Sequence, residues 1–249
     1  MDFLIFFRVK WKLAEIFFFP IITVLIWGLF SVFMQRFAVE AGLIVVIMNL
    51  FWSFAHVSQT STNIAMLEDV WSGSFKQLFV SGITKSEYII ARLIFSSFVA
   101  ILILSIISIM AYYIFNITLL AENFFTFLEL ISITLIASMA LSVIIASLII
   151  SWGKEYGFLA WTILQIFILL SAPFYTVDVL PQTIQYISYV MPYTNVFETT
   201  RNLITTGFVD STVILKGFII AVLYLFLSFP LYNFAFNRAR KNGVLVRLN

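Results

Sequence analysis

The side chains that could carry chemistry in this sequence are few and scattered. The chain contains 1 His, 12 Asp and Glu residues together, and no Cys. The lack of Cys excludes disulfides, thiolate metal sites and thiol nucleophiles, and a lone His cannot complete the usual zinc site. The sequence also has no G-x-S-x-G or H-E-x-x-H motif. We therefore expect no catalytic residues, no metal site and no enzymatic activity in this chain.

A nucleotide-binding loop is also missing. Gly153 and Lys154 would end a G-x-x-x-x-G-K motif, but Leu148 stands where that motif requires its first glycine. The chain is therefore expected to bind no ATP by this device and to hold no cofactor of its own.

The composition indicates what kind of structure holds these side chains. Of the 249 residues, 62% are hydrophobic and only 10% are charged, and the mean hydropathy is +1.07. The apolar surface, with 29 Phe, exceeds what one soluble core could enclose. The net charge of +2 offers no dense basic surface, so nucleic acid is not an expected partner. The chain is an integral membrane protein.

A membrane-spanning helix needs about 20 mostly apolar residues, and six segments reach or approach that length. Carboxylates lie near the ends of these segments rather than deep within them, so no acid/base pair is predicted in the membrane. The fold class is therefore an all-α integral membrane protein, one membrane domain over residues 1–249. The predicted spans are residues 17–34, 42–63, 89–115, 124–152, 158–175 and 213–236.

The basic residues predict the orientation, because Lys and Arg accumulate in cytoplasmic loops. With the N-terminus inside, 11 of the 14 Lys and Arg residues lie on the inner side, and only Arg36, Arg201 and Lys216 lie outside. Six spans then place both termini in the cytoplasm of a multi-pass protein of the cell membrane.

Three segments, residues 1–16, 70–83 and 178–207, are not plain spans. Residues 1–16 predict an imperfectly amphipathic helix along the inner interface, and Pro20 favours a break before the first span; a simple extension of that span is the alternative. In the loop at residues 70–83, Phe75, Leu78 and Phe79 form an apolar stripe on a short helix that Gly82 ends. Thr84 and Glu87 then form a capping box that starts the third span.

The inner half of the second span is unusually polar from His56 to Asn63, so this face must contact protein or a water-filled cavity. At the inner end of that span, Glu68 and Asp69 lie where the helix dipole disfavours carboxylates. They either have a compensating partner, remain solvated at the interface or begin the loop helix as caps.

Residues 178–207 are too polar for a span and too apolar for a free loop, and they predict two short helices that dip into the outer leaflet. Asp178 is a possible N-cap with Pro181 in the first turn, and Pro192 separates the two helices. Asn195 with Glu198 is a second cap-like pair, and Gly207 ends that helix. Glu198 and Arg201 share a face, and a structural salt bridge between them is favoured over a gate or a substrate contact.

This arrangement resembles the membrane subunits of ABC-2 type ABC exporters over nearly the whole chain. The most specific stretches are residues 68–92, with a Glu-containing span end, a Gly and a short helix before the next span, and residues 191–201, with a Pro-x-x-x-x-x-Glu-x-x-Arg-like pattern. The resemblance implies a fold like that of type V ABC exporters, with a coupling helix in the first cytoplasmic loop and re-entrant helices before the last span.

The resemblance further implies a permease subunit that moves an amphiphilic, lipid-linked or drug-like substrate outward. Its partners would be membrane lipids, a second permease copy, identical or a sister chain, and two copies of a separate ABC ATPase that binds ATP and Mg. We expect the ATPase to dock on Phe75, Leu78, Phe79 and Ser81, with electrostatic support from Glu68 and Asp69. The expected outer gate consists of Asp178, Pro181, Pro192, Glu198 and Arg201.

Other functions are also compatible with the sequence. One is a gradient-driven carrier or channel, but such proteins are expected to have ionisable residues near mid-membrane, which this chain lacks. The other is a non-transporting membrane assembly factor.

Overall fold

The computed structural model describes residues 10–241, and the side chains in that range except those of residues 10–16 and Lys154. Ten α-helices follow one another in this part of the chain, and it contains no β-strand. They are α1 Lys10–Met34, α2 Val39–Trp71, α3 Ser74–Val80, α4 Lys85–Phe115, α5 Leu119–Glu122, α6 Phe124–Trp152, α7 Leu159–Leu170, α8 Gln182–Ser188, α9 Thr194–Thr206 and α10 Ser211–Lys241.

Five helices are long and apolar enough to cross a membrane: α1, α2, α4, α6 and α10. They contain five of the six predicted spans, and the α6 prediction matches at both ends. The long α2 and α10 continue beyond the apolar stretches at their C-terminal ends, because intrahelical hydrogen bonding does not stop where hydropathy falls. The chain is a multi-pass membrane protein.

The break predicted at Pro20 is absent, because α1 runs through this residue to Met34. Proline removes one backbone donor, but membrane helices tolerate it where neighbouring groups and local adjustments satisfy the freed carbonyl. Residues 10–16 therefore extend the first span as the same helix, as in the alternative reading. The rest of the predicted interfacial helix, residues 1–9, lies outside the described residues.

The fifth predicted span is also shorter than expected. A turn of 3-10 helix covers Lys154–Phe158, and α7 then has only 12 residues, Leu159–Leu170. The chain turns sharply after it, since Ala172 has a positive φ of 52°. At about 1.5 Å per residue, α7 alone is too short for a membrane of about 30 Å.

A contact between α6 and α10 shows how these two helices run relative to each other. A Cβ added at Gly217 would lie 3.5 Å from Ile133, and both residues lie in the N-terminal halves of their helices, α10 and α6. The two helices, which pack along each other, are therefore parallel. The chain must return from the end of α6 to the start of α10 through α7 and the residues that follow it.

The bundle thus has two ends, which we name after a residue at each. The Asp69 end holds the C-termini of α2, α6 and α10, helix α3 and the start of α4. The Arg201 end holds α8, α9 and the turn after α7.

The core lies around α2, which packs against α1, α4, α6, α7 and α9. The polar half of α2 is buried, as the sequence predicts. Gln59 donates a hydrogen bond to the Ala160 carbonyl at 3.0 Å, and Thr62 donates one to Ser96 at 2.7 Å. His56 packs against the rings of Phe19 and Trp52, at centroid distances of 5.3 Å and 5.4 Å.

Candidate functional site

Helix α3 is the short helix predicted in the first loop, and glycines set both of its ends. Gly73 precedes it with φ 73° and Gly82 follows it with φ 96°, in a region that residues with a Cβ rarely adopt. Ser74 is the first residue of the helix, and its hydroxyl does not act as an N-cap. The two turns bring the seven-residue helix back against the ends of α2, α4 and α10.

The Asp69 carboxylate joins three segments at this end. It forms an ion pair with Arg92 and accepts hydrogen bonds from the Tyr88 hydroxyl at 2.6 Å and the Ser74 hydroxyl at 3.2 Å. We call these four residues the Asp69 cluster. Asp69 lies in the last turn of α2, Ser74 is the first residue of α3, and Tyr88 and Arg92 lie one turn apart in α4. Asp69 therefore has a compensating partner, Arg92, which is one of the alternatives that the sequence leaves open.

Aromatic side chains hold the other side of α3. The Phe75 ring lies 5.0 Å from Phe79 and 5.4 Å from Tyr88, and the Phe79 ring lies 5.0 Å from Phe236 of α10. These four residues form what we call the aromatic cluster. Aromatic pairs at such distances contribute about 0.5–1.5 kcal/mol each beyond the area that they bury. Helix α3 is thus fixed to α4 and α10.

The predicted docking residues are therefore not equally available on the surface. Phe75 is only 2% exposed, and Asp69 lies in the ion pair with Arg92. Leu78 and Phe79 are half-buried against the core, and Glu68 is half-buried beside Asp69. A docking role for Phe75 would need it to leave the aromatic cluster, because its side chain points into the bundle.

The exposed face of α3 consists of other residues. Gln77, Val80 and Ser81 lie at i, i+3 and i+4, and all three are exposed. Val80 is 88% exposed. The sequence prediction named Ser81 but not Gln77 or Val80, because it assigned the partner to the apolar stripe, which packs on the bundle in the structure.

The predicted capping box at the start of α4 is present. The Glu87 backbone N–H donates to the Thr84 hydroxyl, and the Thr84 backbone N–H donates to the Glu87 carboxylate at 2.8 Å. This cap sets where α4 begins, and thereby places Tyr88 and Arg92 opposite Asp69.

At the Arg201 end, the predicted salt bridge between Glu198 and Arg201 is replaced by other contacts. Arg201 donates hydrogen bonds to the carbonyls of Ala172, Pro173 and Tyr175 at 2.8, 3.3 and 2.6 Å. These carbonyls belong to the sharp turn after α7, and a guanidinium can serve several at once because it has five donors. Arg201 therefore holds α9 against this turn.

Glu198 lies half-buried on the same helix, one turn before Arg201. Burial raises the pKa of its carboxyl above the ordinary value, while the charges of Arg201 and Lys216 lower it and that of Asp178 raises it. Burial also lowers the pKa of the Arg201 guanidinium, and Glu198 and Asp178 oppose this effect. The two residues therefore interact through their charges at longer range.

The caps predicted for this segment differ in detail. Asp178 is exposed in a 3-10 turn, Val177–Val179, and makes no side-chain cap; Pro181 occupies the N-cap position of α8. Asn195 lies inside α9 rather than capping it, since that helix begins at Thr194. Pro192 is buried in the turn between α8 and α9. Gly207 ends α9 with φ 69°, as predicted.

The site residues that sequence reasoning missed are Ser74, Tyr88 and Arg92. Tyr88 and Arg92 lie at i and i+4 directly after a recognisable capping box, so they share the face that starts α4. That spacing is a signal that could have paired them with Asp69. Within the described part of the chain, no group of three or more His, Asp or Glu side chains could hold a metal ion.

Comparison with known protein families gives one match over most of the chain. The family model described as "ABC-2 type transporter" matches residues 2–205. The matched range contains the Asp69 cluster, α3 and the Arg201 contacts. Among curated proteins, none matches the chain significantly.

Proposed function

The chain belongs to the ABC-2 type transporter family, and we propose that it is the membrane permease subunit of an ATP-driven exporter. The energy would come from a separate ABC ATPase, present in two copies, which binds ATP and Mg. The permease itself would form a dimer, most simply of two identical chains, with the substrate pathway between them.

The arrangement of α3 is the observation that carries this proposal. The helix is joined to α2 and α4 by the Asp69 cluster and to α4 and α10 by the aromatic cluster. It also exposes Gln77, Val80 and Ser81. A force applied to this exposed face would be transmitted to three long helices, because packed elements of this kind move as units. We assign ATPase docking to this face, with Leu78 and Phe79 at its edge.

The proposed topology has six crossings with both termini in the cytoplasm. It is supported by the parallel packing of α6 and α10, which requires the chain to return between them. The crossing would use α7 together with the 3-10 turn before it and the residues after it. The basic residues Arg238, Arg240 and Lys241 in the last turn of α10 favour a cytoplasmic Asp69 end in the cell membrane.

The outer gate would be the pair of short helices α8 and α9, with the turn that Arg201 holds. In this proposal α8 and α9 enter the outer leaflet without crossing it. Asp178 and Pro181 are exposed on this segment, whereas Pro192 is buried at its bend. Opening would separate α9 from the turn after α7.

The proposed substrate class is amphiphilic: lipid-linked or drug-like. Aromatic side chains support it, because their rings offer apolar faces and the Trp indole adds a polar N–H. Trp27 of α1 stacks on Phe174 in the turn after α7, with centroids 5.7 Å apart. Exposed Phe30, Phe33 and Phe37 continue along α1 and beyond its end.

The test is purification of the full chain alone and with an ABC ATPase that co-purifies with it. We expect ATP hydrolysis and ATP-dependent transport from the complex, and neither from the chain alone. Transport in vesicles without nucleotide would instead identify a gradient-driven carrier or channel. A chain that binds no ATPase and transports nothing would be an assembly factor.

A further inference from the structure

A groove opens at the Asp69 end between α3 and the last turns of α10. It has a volume of about 500 Å³, within the range of small-molecule sites, and also includes the first residue of α4. The lining residues are Phe75, Lys76, Phe79, Val80, Ile83, Thr84, Lys85, Phe236, Asn237 and Arg240.

The lining is positively charged. Among the residues that the structure describes, it includes Lys76, Lys85 and Arg240 and no carboxylate residue. The Lys85 ammonium group donates to the Asn237 amide oxygen at 3.0 Å and lies 5.9 Å from the centre of the Phe236 ring. Both of these partners are neutral, so they orient Lys85 without cancelling its charge. The groove therefore favours an anion.

Glu87 follows the lining residues Thr84 and Lys85 in the sequence, and its carboxylate belongs to the capping box. It accepts hydrogen bonds from the backbone and hydroxyl of Thr84 at 2.8 and 2.7 Å. These bonds direct it to the capping box. The Asp69 carboxylate, on the other side of α3, is neutralised by its ion pair with Arg92. These two acidic groups thus have their own partners, whereas the contacts of Lys85 within residues 10–241 are with neutral groups.

The groove lies at the level of a membrane surface. Trp71, Trp152 and Tyr156 are 56%, 56% and 42% exposed at the same end of the bundle, and exposed Trp and Tyr residues mark the interface between lipid and water. Phe75, Phe79, Ile83 and Phe236 supply apolar walls beside the cations. The lining therefore fits a ligand with an anionic head and an apolar continuation.

We propose that this groove binds the phosphate headgroup of an anionic phospholipid. Lys85 and Arg240 contact the phosphate. The glycerol region lies against the aromatic walls. Basic pockets beside membrane helices bind anionic headgroups by this chemistry. A bound headgroup would bridge α3 and α10, the two elements that the aromatic cluster already joins. The inference requires only a membrane-embedded chain and is independent of ATP-driven export.

The experiment measures retained lipid on the full-length purified chain. The protein is equilibrated with equal amounts of phosphatidylglycerol and phosphatidylcholine in detergent, and bound lipids are counted by native mass spectrometry. We expect selective retention of phosphatidylglycerol, reduced about fivefold by Lys85→Gln or Arg240→Gln, since each basic residue near an anionic surface contributes about 1 kcal/mol. The matched control is Arg238→Gln, an exposed cation of the same helix turn outside the groove.

A second measurement keeps every charge in place. Because the chain has no Cys, Ile83→Cys places a single fluorescent label in the groove wall. Brominated phosphatidylglycerol should quench this label more strongly than brominated phosphatidylcholine.

Several outcomes would overturn the proposal. They are equal quenching by the two lipids, unchanged retention in Lys85→Gln and Arg240→Gln, or an equal loss in Arg238→Gln. Displacement of the lipid by millimolar inorganic phosphate would assign the groove to a free anion. Loss of ATPase binding with unchanged lipid retention would assign it to an acidic segment of a protein.

Discussion

The Arg92 guanidinium forms an ion pair with the Asp69 carboxylate, and this pair joins the end of α2 to the beginning of α4. The two side chains are 11% and 16% exposed, so the pair is largely removed from water. Tyr88 and Ser74 donate to the same carboxylate. A single acidic group thus fixes the position of α3 relative to two long helices, and any movement of α3 must move them or break these contacts.

Removing one partner of this pair should loosen α3. In Arg92→Gln the Asp69 carboxylate keeps Tyr88 and Ser74 but loses its counter-charge, and we expect a loss of about 1–3 kcal/mol, since the site is partly solvated. The double variant with Asp69→Asn should be less destabilised than the sum of the two single variants. Thermal unfolding in detergent measures the stability of the wild type, the two single variants and the double variant. If the losses of the single variants add up to that of the double variant, the two side chains do not interact directly.

The aromatic cluster and the exposed face of α3 should respond differently to substitution. Phe75→Ala removes a buried ring, and we expect it to destabilise the chain by roughly 3–5 kcal/mol. Val80→Ala alters an 88% exposed side chain and should change stability by less than about 0.5 kcal/mol. Thermal unfolding of the two variants gives the comparison. Equal losses would show that Val80 is packed against something in the folded chain.

Local patterns explain what the sequence predicted well around α3. The capping box at Thr84 and Glu87 and the glycine after α3 depend on residues only a few positions apart, and both are present. The ion pair between Asp69 and Arg92 spans 23 positions. It depends on how two turns bring α4 back beside α2, which no local pattern specifies. The same limit led sequence reasoning to assign the buried Phe75 to the surface.

Arg201 should be difficult to replace, even by another cation. Its guanidinium donates to three carbonyls of the turn after α7, whereas a lysine is a point charge without the planar array of donors. We expect Arg201→Lys to destabilise this end by about 1.5–3 kcal/mol, the range for hydrogen bonds to charged groups. In the cysteine-free chain, a thiol at Val177→Cys, where the valine is only 2% exposed, should react with a label faster when Arg201→Lys is also present. An unchanged labelling rate would contradict this role of Arg201.

Glu198 should make stability depend on pH. Because burial raises the pKa of Glu198 in the folded state, the folded chain holds this proton more tightly than the unfolded chain. The resulting stability is fully present below the ordinary glutamate pKa of about 4.3 and is lost as pH rises through the folded value. Glu198→Gln should lack this loss and become the more stable form at higher pH.

The measurement is thermal unfolding of the wild type and Glu198→Gln from about pH 4 to pH 8, which brackets the ordinary glutamate pKa. The control variant is Glu122→Gln, which removes an exposed carboxylate that is not among the charges acting on Glu198. Arg201 and Lys216 oppose the effect of burial, and Asp178 reinforces it. A stability difference between wild type and Glu198→Gln that is constant with pH would contradict the predicted shift.

Hydropathy predicted the long helices well because each must satisfy its own backbone within the membrane. It was less successful after α7, where the chain folds back on itself. Arg201 pairs with carbonyls of Ala172, Pro173 and Tyr175 rather than with Glu198. Backbone carbonyls carry no signature in the sequence, so the i, i+3 spacing pointed to the wrong partner. Helix α1 likewise continues through Pro20, where the sequence favoured a break.

The stimulation of a co-purified ABC ATPase by this chain tests the central claim most directly. ATP hydrolysis should be measured in reconstituted complexes with the wild type, Val80→Asp and the matched variant Val179→Asp, whose valine is also exposed but lies at the Arg201 end. We predict that Val80→Asp abolishes stimulation while Val179→Asp and the stability of both chains remain unchanged. Full stimulation by Val80→Asp, or ATP hydrolysis by the purified chain alone, would contradict the account.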